Sequence, residues 1–384
     1  MEHEVHLSER QLSCTRTAHG LRWASKRERL ERMRETPHKM EWGVVVGRSA
    51  GILLLLAGIL LAAGLCVANP PNDNPIPSIF DPHSANAESL YHLSHFVLAI
   101  TGAIFVVVFS LLAYVMVKFR NRKTDAGREP TQVYGSTQIE LAWTIVPILI
   151  VVVLFLATAR VIHGIQDSPK PAKALEVTGI GHQFWWEFRY PTLGIVTANE
   201  LHIPVNMPTY LKLLSADTDH SFWVPQLGGK TDLIPNRVNE MWIAPQQTGI
   251  FLGQCAQYCG TQHAKMLLRV TVESPEEFDA WARAQKQPAI QDEKEAAGRH
   301  VFESTSCVNC HAVEGTPGVG RFGPDLTHLM SRQTLAAGAA ENTQENLRLW
   351  IQNPEAIKPG SLMPAMKLNG VDLDALVRYL ETLR

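Results

Sequence analysis

Hydrophobic and polar positions fall into four regimes along this chain, and each predicts different structure. Residues 1–43 carry charged runs such as Lys26-Arg27-Glu28-Arg29 and no apolar period, which reads as a disordered tail, or as sequence upstream of a true start at Met33 or Met40. Residues 44–68 are apolar apart from Arg48, follow a basic flank and end in small residues, so they read as a signal cleaved after Ala68 or as an uncleaved anchor. Within residues 90–163, Leu93–Val117 and Leu141–Ile162 are two further apolar runs. Each exceeds the roughly 18 residues that mark a membrane span. Between them lie Lys118, Arg120, Arg122, Lys123 and Arg128, and this basic loop belongs on the cytoplasmic side. The chain after Ile162 is then exported.

After the spacer Pro169-Lys170-Pro171, the period changes again. Leu175–Gly179, Phe184–Tyr190, Tyr210–Leu214, Met241–Ala244, Ile250–Gly253 and Leu267–Val272 are short apolar or aromatic runs separated by Gly, Pro, Asn and Asp. Many short strands at such spacing predict an all-β sandwich or barrel over 170–285. Ser274-Pro275-Glu276-Glu277 predicts a capped helix start. Gln285–Lys294 is a polar linker, and 293–384 reads as helices and loops closing with Leu373, Leu376, Val377 and Leu380 on one helical face. The chain is therefore expected to be a multidomain membrane protein.

Charge and cysteine usage sharpen this. A formal net charge of −2 over 384 residues gives no footprint for nucleic acid. Of the cysteines, Cys14 and Cys66 stand alone, while Cys255/Cys259 and Cys307/Cys310 form tight pairs, each with a histidine close by. Such pairs read as metal or haem chemistry sooner than as a disulfide framework.

Cys307-Val308-Asn309-Cys310-His311 is C-x-x-C-H. Two thiols three positions apart reach both vinyl groups of one haem, and the adjacent His supplies the proximal ligand. A thioredoxin-type dithiol needs a βαβ context that is missing, and a zinc site needs a second Cys/His pair. Met363 and Met366 are available as the second axial ligand. Residues 293–384, including Phe322-Gly323-Pro324-Asp325-Leu326, resemble a class I cytochrome c, an all-α fold in which the Met followed by Pro is the ligand. The resemblance implies Met363 as ligand and Met366 as core.

Cys255-Ala256-Gln257-Tyr258-Cys259-Gly260-Thr261-Gln262-His263-Ala264-Lys265-Met266 packs two thiols, an imidazole and a thioether together, a donor set that suits copper. One blue copper would leave the second Cys unused, whereas two bridging thiolates can hold two coppers. His220, in His220-Ser221-Phe222, is the obvious second imidazole. From Tyr91 to about residue 280 the chain resembles subunit II of cytochrome c oxidase, whose two-helix transmembrane hairpin carries a Greek-key cupredoxin domain with a binuclear CuA centre. Carried over by position, the resemblance implies His220, Cys255, Cys259, His263 and Met266 as ligands, with the backbone carbonyl of Gln257. The family usually has Glu at that last position, where the carboxylate also binds magnesium, so Gln257 puts the magnesium in doubt.

The family's Gly-His-Gln-Trp reads Gly181-His182-Gln183-Phe184 here, followed by Trp185 and Trp186. A tethered haem domain makes the change at the donor-facing position tolerable. Trp185 is the candidate to couple the two sites, and Trp186 reads as sandwich core. Glu140 reads as part of a capping box with Thr137 and, by the resemblance, as the mouth of a proton-uptake channel. His92 and His95 read as interfacial, while His163, His182 and His202 read as ordinary.

The resemblance implies the subunit through which electrons enter a proton-pumping cytochrome c oxidase. They would pass from haem c to CuA and on to catalytic subunit I, with subunit III as a further partner. Cytochrome c or a quinol–cytochrome c complex would be the donor, and the bacterial inner membrane the location, crossed more than once with both redox domains outside. The rivals are a CuA subunit of a nitric oxide reductase and a membrane-tethered carrier with no oxidase partner.

Overall fold

The structure is a computed structural model that describes residues 77–120, 132, 134–166, 170, 173–289 and 292–384, all within one compact unit, Ile76–Arg384. The expected tail and the signal or anchor lie outside the described residues.

Two long helices come first, α1 (Ala85–Lys118) and α2 (Thr137–Gln166), of 34 and 30 residues. At about 1.5 Å per residue either is long enough to cross roughly 30 Å of hydrocarbon. Both outrun their apolar cores, because the polar flanks continue the same hydrogen-bond ladder. Ser84 caps α1, its hydroxyl accepting from Ala87 N. Thr137 is the first helical residue of α2 and so does not act as its cap. Instead the Glu140 carboxylate folds back against Gly135, and Glu140 N donates to Ser136 O at 2.9 Å. Both helices expose apolar side chains around much of their circumference, a pattern suited to lipid. Their outer ends are tied to the β domain: Ser84 Oγ donates to Leu227 O at 2.6 Å, and Trp242 Nε1 donates to Ile165 O at 2.9 Å.

Ten strands come next in the chain: β1 Leu175–His182, β2 Trp185–Tyr190, β3 Ile195–Ala198, β4 Glu200–Pro204, β5 Thr209–Ser215, β6 His220–Trp223, β7 Thr231–Leu233, β8 Asn239–Ile243, β9 Gly249–Cys255 and β10 Leu267–Glu273. They form two five-stranded sheets, ordered β3-β2-β1-β5-β8 and β4-β10-β9-β6-β7. The pairs β1/β5 and β4/β10 are parallel and the rest antiparallel. Alternating burial in β1 and β10 is the period-2 signature of strands with one face on a core. β2 is buried along nearly its whole length, and four of its six residues are aromatic. Trp186, Phe188 and Tyr190 fill the sandwich core, while Trp185 packs on Ala198 and Ala337. Trp186 is thus core, as expected. The short strands β3, β4, β6 and β7 are too brief to show a period in the sequence.

Ser274 opens α3 (Pro275–Gln285) with the expected capping box, its hydroxyl accepting from Glu277 N while the Glu277 carboxylate accepts from Ser274 N. The C-terminal region comprises α4 (Ala296–Ser304), α5 (Cys307–Cys310), α6 (Gln344–Gln352), α7 (Pro354–Ile357) and α8 (Gly370–Glu381). Leu373, Leu376, Val377 and Leu380 are all buried on α8. α4 crosses α8 at Gly298, where a Cβ would stand 2.0 Å from Ala375 O, so only glycine permits the approach.

This region packs on the β sandwich through polar contacts, the Glu200 and Lys358 ones buried. The Glu200 carboxylate, 2 % exposed, accepts from Gln333 N, Thr334 N and Thr334 Oγ, each at 2.9 Å. Lys358 Nζ donates to Phe184 O at 2.8 Å and to Ala336 O at 3.1 Å, and Lys265 Nζ donates to Ile357 O at 2.8 Å.

Candidate metal centres

The first centre is built by strand register. β9 ends at Cys255, the chain loops through 256–266, and β10 returns with Leu267 opposite Gln254. On the other side of β9, Phe222 pairs with Cys255, which brings His220 of the same strand alongside the loop. The ligand atoms of His220, Cys255 and Cys259 consequently lie within 4.8 Å of one another. The two sulfurs are 3.9 Å apart, far beyond the roughly 2.05 Å of a disulfide. His220 Nδ1 lies 3.9 Å from the Cys255 sulfur, and Gln257 O lies 3.1 Å from it. At the other end, His263 Nδ1 and Met266 Sδ each lie 3.8 Å from the Cys259 sulfur. All six groups singled out in the sequence therefore converge, with the thiols central and the imidazoles at either end.

The chemistry of this donor set fits two soft metal ions sharing two thiolates. A hydrogen bond from the Cys259 thiol, helped by His220 and the Gln257 and Ser221 backbone, favours the Cys255 thiolate, whose pKa is drawn down to about 3. That negative neighbour, with burial, pushes Cys259 in the opposite direction. Asp217 was not singled out in the sequence, yet its Oδ1 lies 2.8 Å from His220 Nε2 and holds Nδ1 toward the sulfurs. Burial disfavours a charged His220, but the Asp217 hydrogen bond and the nearby Cys255 outweigh it and raise its pKa. Asp217→Asn is expected to weaken copper retention by roughly 10–100-fold, the usual effect of losing such an orienting partner. Competition with a copper chelator would read this, and unchanged retention would show that Asp217 does not orient the ligand.

The second centre is an apolar cavity whose wall includes Cys307, Cys310, His311, Met363 and Met366. α5 holds the two thiols one turn apart, and the chain leaves it in an extended conformation at His311. His311 Nδ1 lies 2.7 Å from Pro324 O, which directs Nε2 away from that carbonyl. Burial holds the imidazole neutral by lowering its pKa, with a smaller opposing effect from Pro324 O. Gly323 lies against the same ring, where a Cβ would stand 2.5 Å from His311 Cε1. This cradle, the paired thiols and the apolar wall fit a covalently attached haem. Both methionines face the cavity side of the domain half-buried, so burial does not separate Met363 from Met366. Gly323→Ala is expected to push His311 off its seat at a cost of roughly 1–3 kcal/mol. Thermal unfolding and the haem's low-spin resonance would both register it, and an unchanged resonance would count against the cradle.

Residues 183–185 join the two centres. Gln183 Nε2 donates to Cys259 O at 2.6 Å, and Gln183 N donates to Asp217 Oδ2 at 2.7 Å. Phe184 and Trp185 line the cavity of the second centre. His182, which reads as ordinary in the sequence, stacks on Trp185 with centroids 4.2 Å apart and reaches Glu187 at 3.1 Å. His202 likewise stacks on Trp281 at 4.4 Å and lies 3.2 Å from Glu273.

Residues 78–161 match the transmembrane domain of cytochrome c oxidase subunit II, 194–273 match its periplasmic domain, and 295–384 match cytochrome c. Cytochrome c oxidase subunit 2 of Alkalihalophilus pseudofirmus is 35% identical over 311 residues, which cover 79% of this chain and 90% of that protein. The chain belongs to the cytochrome c oxidase subunit II family. The Bacillus subtilis subunit 2 is 32% identical over 356 residues, covering 87% of this chain and 97% of the relative. The periplasmic domain of subunit II from Bradyrhizobium japonicum superposes with a TM-score of 0.30 at 32% identity, covering 30% of this chain and 96% of that one. As a member of this family with a C-terminal cytochrome c domain, the chain is the subunit through which electrons enter a terminal oxidase. It is anchored in the membrane and carries a periplasmic domain.

Within this subunit, Asp217, Gln183, Glu200, Lys358 and Arg332 are the residues that sequence reading passed over. Gln183, Glu200 and Lys358 meet partners far along the chain, while Asp217 and Arg332 have near partners at spacings that carry no signal by themselves.

Proposed function

We propose that this chain relays electrons from a haem c held by Cys307, Cys310, His311 and Met363 to a CuA pair held by His220, Cys255, Gln257 O, Cys259, His263 and Met266. The observation that carries the reading is the pair of thiols 3.9 Å apart with a histidine at each end and Met266 beside one sulfur. When bound, the two groups supply reversible one-electron chemistry, and the chain's own task is to hold them rigidly and keep water out. Trp185 and Phe184 provide the packed connection between them. Gln257 lacks the carboxylate with which the family binds magnesium, so the reading rests on copper and haem alone.

The domain division accords with the same reading: hairpin 90–163, cupredoxin 170–285, cytochrome c 293–384. The basic loop faces the cytoplasm and both redox domains face outward across the bacterial cell membrane. Catalytic subunit I receives the electrons, subunit III completes the assembly, and an external cytochrome c or quinol–cytochrome c complex supplies them. On this reading Glu140, exposed in the first turn of α2, serves the mouth of a proton-uptake channel shared with subunit I.

Metal analysis with electron paramagnetic resonance on the full chain tests the reading. Two coppers and one haem iron per chain, with hyperfine structure from an electron shared by two nuclei, are expected. A single copper with a blue-copper spectrum would overturn it in favour of a tethered carrier.

A further inference from the structure

The loop that carries the candidate copper donors is braced by the C-terminal domain. Leu267 N, immediately after Met266, donates to Ala337 O at 3.1 Å. Lys265 Nζ, on the residue between Ala264 and Met266, donates to Ile357 O at 2.8 Å. The backbones come so close that a Cβ at Gly338 would stand 2.9 Å from Leu267 Cβ. Just beyond the loop, Arg269 Nη1 donates to Gln333 Oε1 at 2.8 Å.

A second route runs through residues 183 and 184. Lys358 Nζ holds Phe184 O at 2.8 Å, and the adjacent Gln183 Nε2 donates to Cys259 O at 2.6 Å. Gln183 N donates to Asp217 Oδ2 at 2.7 Å, and Asp217 Oδ1 lies 2.8 Å from His220 Nε2. Gln183 therefore reaches both ends of the sulfur pair, Cys259 directly and His220 through Asp217.

We infer that Gln183 is a positioning residue which, together with the Lys265 and Leu267 contacts, couples docking of the C-terminal domain to the shape of the copper site. The inference rests on the copper reading. Opening the loop 256–266 breaks the Gln183–Cys259, Lys265–Ile357 and Leu267–Ala337 bonds. Undocking the domain breaks the last two and releases Phe184 from Lys358. The docked domain thus favours the closed loop, and the closed loop presents the domain with its partners. Coupling of this kind is reciprocal: the factor that docking adds to copper affinity is the factor that bound copper adds to docking. The haem domain is then a clasp on the copper as well as a source of electrons, and copper exchanges from the undocked state.

The test measures both sides of this coupling in the full chain. Copper affinity is read by competition with a chelator, and docking by hydrogen exchange at the Gln333 and Thr334 amides with and without copper. Fewer than two coppers per wild-type chain would overturn the copper reading itself. With two bound, copper is expected to slow exchange at both amides by roughly 5–150-fold. Glu200→Ala, which loosens the domain, should weaken copper binding. In Gln183→Leu the effect of copper on exchange should shrink while exchange of the copper-free chain stays at its wild-type rate, a pattern that general destabilisation would not give. Lys265→Met should also lose part of the coupling, and Lys265→Arg, which still donates, should keep it. Lys265 is exposed, so its variants decide the matter even if Glu200→Ala fails to fold. Exchange indifferent to copper in the wild type, or coupling untouched in both Gln183→Leu and Lys265→Met, would overturn this inference and leave the copper reading standing.

Discussion

Cys259→Ala is expected to abolish the binuclear copper site while leaving the haem in place. Cys259 is the thiol closest to both His263 and Met266, at 3.8 Å each, and it faces Cys255 at 3.9 Å. Its removal leaves one thiolate, which cannot bridge two metals from both sides. The loss should exceed the roughly 10–100-fold expected for removing an orienting partner such as Asp217, because the variant removes a proposed ligand itself. The fold should survive, since deleting one small buried group costs on the order of 1 kcal/mol. Copper content should fall below two per chain, the shared-electron hyperfine pattern should vanish, and the haem should stay reduced during turnover for want of an outlet. A variant that keeps two coppers and the same spectrum would show that Cys259 is not a bridging ligand.

Glu200→Ala is expected to loosen the C-terminal domain from the sandwich. The carboxylate is the common acceptor for Gln333 N, Thr334 N and Thr334 Oγ, deep in the contact. Alanine leaves three donors without a partner in a site that water reaches poorly, and each unsatisfied group costs about 1–3 kcal/mol. The effects share one site and will not add fully. Even so, the loss is large beside the stability of a single domain, roughly 5–15 kcal/mol. Hydrogen exchange at Gln333 and Thr334 should accelerate by orders of magnitude, and a single cooperative melt should separate into two. Unchanged exchange at those two amides would show that Glu200 does not fasten the domains.

The sequence determined by itself whatever depends on local spacing. Apolar length alone specified two helices long enough to cross a membrane, where lipid leaves backbone groups no other partner. C-x-x-C-H placed two thiols and an imidazole on one short turn. The Cys255–Met266 run gathered five candidate copper donors within one loop, and only His220 had to come from elsewhere. Ser274 and Glu277 announced their own helix.

Tertiary structure decided the rest, because the remaining interactions join residues far apart in the chain. Asp217 reaches His220 locally, from three residues away, but the pair meets Cys255 only because β6 lies beside β9. Glu200 meets Thr334, and Lys358 meets Phe184, across sequence separations of 134 and 174 residues. The helix cap moved off Thr137, and His182 acquired a stacked tryptophan, through neighbours no period reveals. The polar linker Gln285–Lys294 leaves open whether the haem domain swings or docks. Buried polar groups satisfied only by the other domain decide for docking, since undocking would strip Glu200 and Lys358 of the partners that make their burial tolerable.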